Sequence, residues 1–249
     1  MSAPTVHLSV DPSAHRDLVT AEVKMSAGGE PLTLAITVPA GRTTGEAMLP
    51  VLQGLSSLFS DRAAARTARE GKPISCRMGC AACCRQMVPV SGTEARHLAR
   101  VVAAMPPPRR AVVRARFAAA LATLDAAGLL DRIRDTAGLT AREEGLDYLR
   151  LRIACPFLED EACSIHPDRP LGCREYLVTS PPENCARTED RQVAPVPVDW
   201  EVSQSHYATP AGEGWMALVL ALRYAERAAS PKKQAGPAML SDVFAAARR

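Results

Sequence analysis

Apolar and polar residues alternate in three short stretches near the start of the chain. Val6, Leu8 and Val10 alternate with Thr5, His7 and Ser9. Val19, Ala21, Val23 and Met25 alternate with Thr20, Glu22 and Lys24. Leu32, Leu34, Ile36 and Val38 alternate with Thr33, Ala35 and Thr37. A period of two places successive side chains on opposite faces, so each stretch predicts a strand with one wet face. Gly28-Gly29 lies between the second and third stretches and suits a tight hairpin turn. The expectation is a small antiparallel sheet over 5–38 within a first segment, 1–42. His7 and His15 read as solvated strand and turn residues.

The period then changes. Met48, Val51, Leu52 and Leu55 recur at helical spacing, and Leu58 and Phe59 continue the stripe. Thr43 and Glu46 have capping-box spacing. Pro50 either sits in the first turn or kinks the helix. The Ala/Arg-rich stretch to Arg69 reads as an exposed end, and Gly71 and Pro73 stop the helix. Ser91 and Glu94 form a second capping box ahead of Leu98, Val101, Val102 and Met105. Pro106-Pro107-Pro108 ends that helix. Another runs to about Ala127 with Val113, Phe117, Leu121 and Leu124 inward, and with Arg109, Arg110, Arg114 and Arg116 forming a solvated basic face. Residues 128–150 read as short helical turns or a connector. Residues 155–200 have little periodicity, so little core is expected from them. Trp215, Leu218, Val219 and Leu222 predict an amphipathic helix reaching about Arg227. A break at 230–237 and a short terminal helix complete the expected α+β architecture. Its parts are the sheet segment, a mainly helical body over 43–200 around an irregular cysteine-rich centre, and a helical segment over 201–249.

Composition adds two constraints. Apolar residues make up 47% of the 249 and aromatics only 4%, so a core must be built from Ala, Leu and Val. A net charge of +3 without a concentrated basic stripe gives no indication of nucleic acid. No apolar run approaches the length of a membrane span, and the first residues lack the pattern of a secretory signal. A cytoplasmic setting is expected.

The cysteines change the picture most. Cys76, Cys80, Cys83 and Cys84 fall within nine residues, and Cys155, Cys163, Cys173 and Cys185 occupy one later segment. Thiolates this dense call for a shared electrophile, and zinc or iron is the obvious choice. Cys80-Ala-Ala-Cys83 is a two-residue chelate spacing, and Gly79 with two alanines lets the backbone fold tightly around an ion. Cys84 adjoins Cys83, and neighbouring side chains diverge, so one of them serves a second metal or a multinuclear cluster. The later spacings are too open for a zinc finger on their own and fit completion of the first site or a neighbouring one. An even count also permits four disulfides, but a reducing compartment favours metal. His166, three residues after Cys163, is a further candidate ligand. Arg169 and Arg174 flank Cys173, placed to offset thiolate charge.

The stretches CRMGCAACCRQMVPVSGTEARHLA and CPFLEDEACSIHPDRPLGCREY together resemble the CxxCxxCC cysteine-cluster family, also called the YkgJ family. The resemblance covers roughly 74–190, about half the chain by its motif boundaries. It implies zinc or iron chelation. A similar cysteine module in flagellin lysine methylase implies an iron–sulfur cluster. That suggests the alternative of an iron–sulfur enzyme modifying a protein or peptide side chain, with Tyr176, Arg174 and His166 as candidate helpers and a protein or peptide as partner. No phosphate loop, nucleophile elbow or paired-histidine protease motif is present, which favours metal binding without catalysis.

Overall fold

The computed structural model describes residues 5–134, 141–187 and 192–247. The fold opens with β1 (Thr5–Ser9), β2 (Leu18–Ala27) and β3 (Glu30–Pro39). Gly28 and Gly29, with φ of 61° and 80°, make the hairpin turn between β2 and β3, a conformation that costs glycine little. These two strands pair antiparallel with Ala27 opposite Glu30, as the alternation predicts. β1 pairs on the far side of β3, and parallel to it, so the sheet is mixed rather than wholly antiparallel. Packing favours this place. Leu8 reaches helix α1 (Gly45–Arg69) at Gly54, where an added Cβ would lie 2.8 Å from the leucine side chain.

Strand β4 (Arg42–Thr43) leads into α1. Pro50 lies inside the helix, and Met48, Leu49, Val51, Leu52, Leu55 and Phe59 are buried against the sheet. The expected Thr43/Glu46 capping box does not form. Thr44 is the N-cap without a side-chain bond, and the Glu46 carboxylate instead accepts from Arg96 Nε at 2.7 Å. A charge-assisted bond to a guanidinium outweighs a neutral cap here. The Ala/Arg end of α1 is less exposed than expected. Ala63 is buried, and Arg62 and Arg66 pair with Glu30 and Asp199.

β5 (Pro89–Ser91) precedes α2 (Gly92–Ala104), α3 (Pro107–Ala126), α4 (Leu130–Arg134) and α5 (Ala141–Arg150). The Ser91/Glu94 capping box forms as predicted; α2 ends at Ala104, Pro106 is the N-cap of α3, and Pro107 and Pro108 open its first turn. Of the expected connector over 128–150, residues 135–140 lie outside the described ones. β6 (Leu158–Glu159) and β7 (Ala162–Cys163) make a small hairpin, followed by α6 (Leu171–Glu175) and α7 (Val202–Tyr207).

Beyond α7 the structure departs from the periodicity. Trp215–Ala217 is strand β8, paired antiparallel with β5, and α8 begins only at Ala221 and ends at Arg227. Three residues of strand leave no period to read, and their geometry is set by the distant β5. β9 (Gln234–Ala235) pairs with β4, and α9 (Gly236–Ala246) closes the chain. Among the described residues no helix is long and apolar enough to cross a membrane.

One hydrophobic cluster joins the β2–β3 face, α1, Trp200 and α9. Trp200 meets Phe59 edge-on with ring centroids 5.3 Å apart and Phe244 at 4.8 Å. A second cluster packs α2, α3 and α8 around Phe157 and Ile165. Residues 155–200 therefore contribute more core than expected. Phe157, Ile165, Leu171, Val178 and Trp200 are all buried, each inserted singly among residues of other elements, which leaves no periodic trace.

Candidate metal centre

The first cysteine loop is delivered by the end of α1. Gly71, with φ of 77°, is the residue after the C-cap. Its N–H reaches Ala68 O, and Lys72 N–H reaches Thr67 O at 2.8 Å, the two bonds of a Schellman stop. Ser75 then donates its N–H to Val178 O at 2.9 Å and its hydroxyl to Ser180 O, so Cys76 starts tied to the chain beyond Cys173. Gly79, with φ of 81°, reverses the loop, and Cys80 N–H bonds Arg77 O. Ala82–Arg85 forms a single 3-10 turn carrying Cys83 and Cys84. Met78, at the tip, is 94% exposed.

The second group arrives against this turn. Cys155 N–H donates to Cys84 O at 2.7 Å, a direct backbone link between the two cysteine segments. Asp160 and Glu161, both at positive φ, make the turn from β6 to β7 and place Cys163 opposite Leu158. Arg85 fixes that turn through two bonds to Glu161, at 2.7 and 3.1 Å. Gln86 donates to Cys185 O at 2.7 Å. Cys173 sits in α6, whose first N–H, from Leu171, is accepted by Glu94 Oε1 at 2.8 Å while Glu94 Oε2 accepts from Ser91 N–H. Burial raises the Glu94 pKa, and the hydrogen bonds to Ser91 and Leu171 oppose it.

None of the eight cysteines is in a disulfide. Their electrostatics show which ones converge. Burial is the main cause that pushes the Cys173 thiol well up, and negative charge on Cys155, Cys83 and Cys163 adds to it. Burial likewise lifts Cys155 to about 12, with Cys163 and Cys83 contributing. Cys83 is raised first by its hydrogen bond with Cys84 and then by burial. Cys76 is raised by burial, then by Cys83 and Cys80. Cys163 is raised by burial and held down partly by Arg169 and Arg174. Seven thiols thus share one electrostatic neighbourhood centred on Cys83, and Cys185 is joined to it through Gln86. Among the described residues, however, no three His, Cys, Asp or Glu side chains stand grouped as a ready-made set of ligands for one ion. The donor chemistry fits zinc or iron. Cys76, Cys83, Cys155, Cys163 and Cys173 resist ionisation next to their neighbours, and a thiophilic cation is the partner that would stabilise several thiolates together.

His166 lies three residues after Cys163, at the start of the short turn His166–Asp168. It is exposed, and its pKa is lowered first by Arg169, then by burial and Arg174. Arg174 is committed to structure, donating to Arg169 O at 3.1 Å and Ser57 Oγ at 3.2 Å. Two supports were not read from the sequence. His97 Nε2 meets Asp168 Oδ1 at 3.0 Å, holding α2 to the loop between Cys163 and Cys173. Glu94 serves that loop as well as its own helix. Only the capping-box spacing of Glu94 was visible beforehand.

Residues 75–194, a span holding all eight cysteines, match the model of the family CxxCxxCC, described as "Putative zinc- or iron-chelating domain". No curated protein and no solved structure matches the chain.

Proposed function

From the match of residues 75–194 to the CxxCxxCC family model, we propose that the protein is a zinc- or iron-binding protein of the YkgJ type whose two cysteine segments build one shared centre. Cys76, Cys80, Cys83, Cys84, Cys155, Cys163, Cys173 and Cys185 are its ligand set. The observation that carries this is the bond from Cys155 N–H to Cys84 O at 2.7 Å, with Cys83 raising the pKa of Cys76, Cys155, Cys163 and Cys173. A centre drawn from both segments links parts of the chain about 70–100 residues apart, so metal binding is coupled to their mutual order. Arg169 lies near several of the thiols and would offset part of their charge. The setting we propose is the reducing cytoplasm, where the thiols remain available.

A second reading, an iron–sulfur enzyme acting on a protein or peptide side chain, draws on the hydrogen bond between adjacent Cys83 and Cys84. Neighbouring thiols suit a multinuclear cluster better than one ion. Air-free purification with metal analysis and thiol counting separates the two. Colourless protein holding zinc supports the first, and brown protein with iron and labile sulfide supports the second. Cys83→Ser tests the shared centre directly. Bound metal should fall, and amide exchange should quicken in both 76–86 and 160–187. Quickening confined to 76–86 would show that the segments do not share a site.

A further inference from the structure

The sheet ends in a long bare edge. β2 spans ten residues and, among the described residues, pairs only with β3. Its ladder continues to Ala40 N–H donating to Asp17 O at 3.0 Å, so odd-numbered positions direct their backbone groups at β3. N–H and C=O of one residue point the same way and alternate along a strand. Thr20, Glu22, Lys24 and Ser26 therefore turn theirs outward, and their side chains are exposed on the wet face.

We propose that this edge binds a second copy of the chain, antiparallel about a two-fold axis at Val23. In that register Glu22 lies opposite Lys24 of the second copy, and Lys24 opposite its Glu22. Thr20 then faces Ser26 on the same wet side. On the side toward α1, Val23 faces Val23, Ala21 faces Met25, and Val19, an exposed large apolar residue at 40%, faces Ala27. Charge selects this register. Sliding one copy by two residues sets Glu22 against Glu22 or Lys24 against Lys24, and like charges directly opposite are destabilising. Within one chain Lys24 Nζ lies 3.2 Å from Glu22 Oε1 with both side chains mostly exposed. That pair contributes little and is readily exchanged for cross-strand partners. A two-fold contact closes on itself, and the other edge, β1, has only five residues, so the assembly stops at a dimer. The two three-stranded sheets become one continuous sheet.

The test is sedimentation velocity of the whole chain across a concentration series, in reductant and low salt. The wild type should show a concentration-dependent dimer. Glu22→Lys and Lys24→Glu, each placing like charges in both central pairs, should raise the dimer Kd about tenfold or more. An equimolar mixture of the two single variants, or the double swap in one chain, should regain wild-type association. Glu22→Pro removes an outward N–H and spares the β3 ladder, so it should abolish the dimer while circular dichroism still reports a folded chain. A wild type that stays monomeric at every concentration overturns the proposal. So does a dimer unmoved by the single charge changes, or a mixture that fails to associate.

Discussion

Glu94→Ala tests how the fold holds the candidate centre. The Glu94 side chain, 3% exposed, accepts from Ser91 N–H and Leu171 N–H at 2.8 Å each. Loss of the reciprocal cap on α2 costs about 1 kcal/mol. The Leu171 N–H is left buried without an acceptor, at about 1–3 kcal/mol. Removing a carboxylate whose ionisation burial already opposes returns part of this. The two losses sum to about 2–4 kcal/mol, and with that return the net loss falls at the lower end, about 2 kcal/mol. Glu94→Gln keeps one acceptor oxygen and should lose roughly half as much. Leu171 opens α6, and Cys173 sits two residues on, so chelator competition should also show weaker metal binding in the alanine variant. Urea unfolding of the reduced, metal-free chain gives the stability term separately. An alanine variant within about 0.5 kcal/mol of the parent, the range of neutral surface changes, would refute the idea that Glu94 joins α2 to α6.

Three further outcomes are expected. His206 is 1% exposed, neither ring nitrogen has a hydrogen-bond partner among the described residues, and burial lowers its pKa to about 4. A depressed histidine favours the folded state fully above its unfolded pKa and loses that contribution as pH falls through about 6.5 toward about 4. His206→Leu should therefore remove about 2 kcal/mol of the stability loss between about pH 7 and about pH 5, read as the difference between paired urea titrations. Gly212→Ala should lower the melting temperature and cost about 1–3 kcal/mol or more, because its Cβ would fall 1.9 Å from His206 O. In the metal-free chain, iodoacetamide should modify Cys155 and Cys173 far more slowly than an ordinary thiol near neutral pH. Their rates should rise as pH climbs toward about 12 for Cys155. Mass spectrometry of the alkylated peptides gives both rates.

The local signals that carried over share a property: each is complete within a few residues. Gly28-Gly29 and the alternation around it fixed the β2–β3 hairpin. Ser91 and Glu94 announced the start of α2. The misses share the opposite property. β1 joins β3 in parallel because Leu8 finds room over Gly54, some 46 positions away by numbering. Trp215–Ala217 becomes strand because β5 offers an edge. Glu46 leaves its expected cap for Arg96, which also grips Glu213 at 2.7 and 2.8 Å.

By itself, then, the order of residues determined the α+β class, the principal helices and the grouping of eight cysteines into two segments, because side-chain period, capping chemistry and thiol spacing are properties of neighbours along the chain. Tertiary structure alone decided that Cys155 meets Cys84 and that Cys83 lies among thiols of both segments. Those meetings depend on Phe157, Leu171 and Trp200 being buried among residues of other elements. Burial of that kind rewards distant partners and leaves no mark on local pattern.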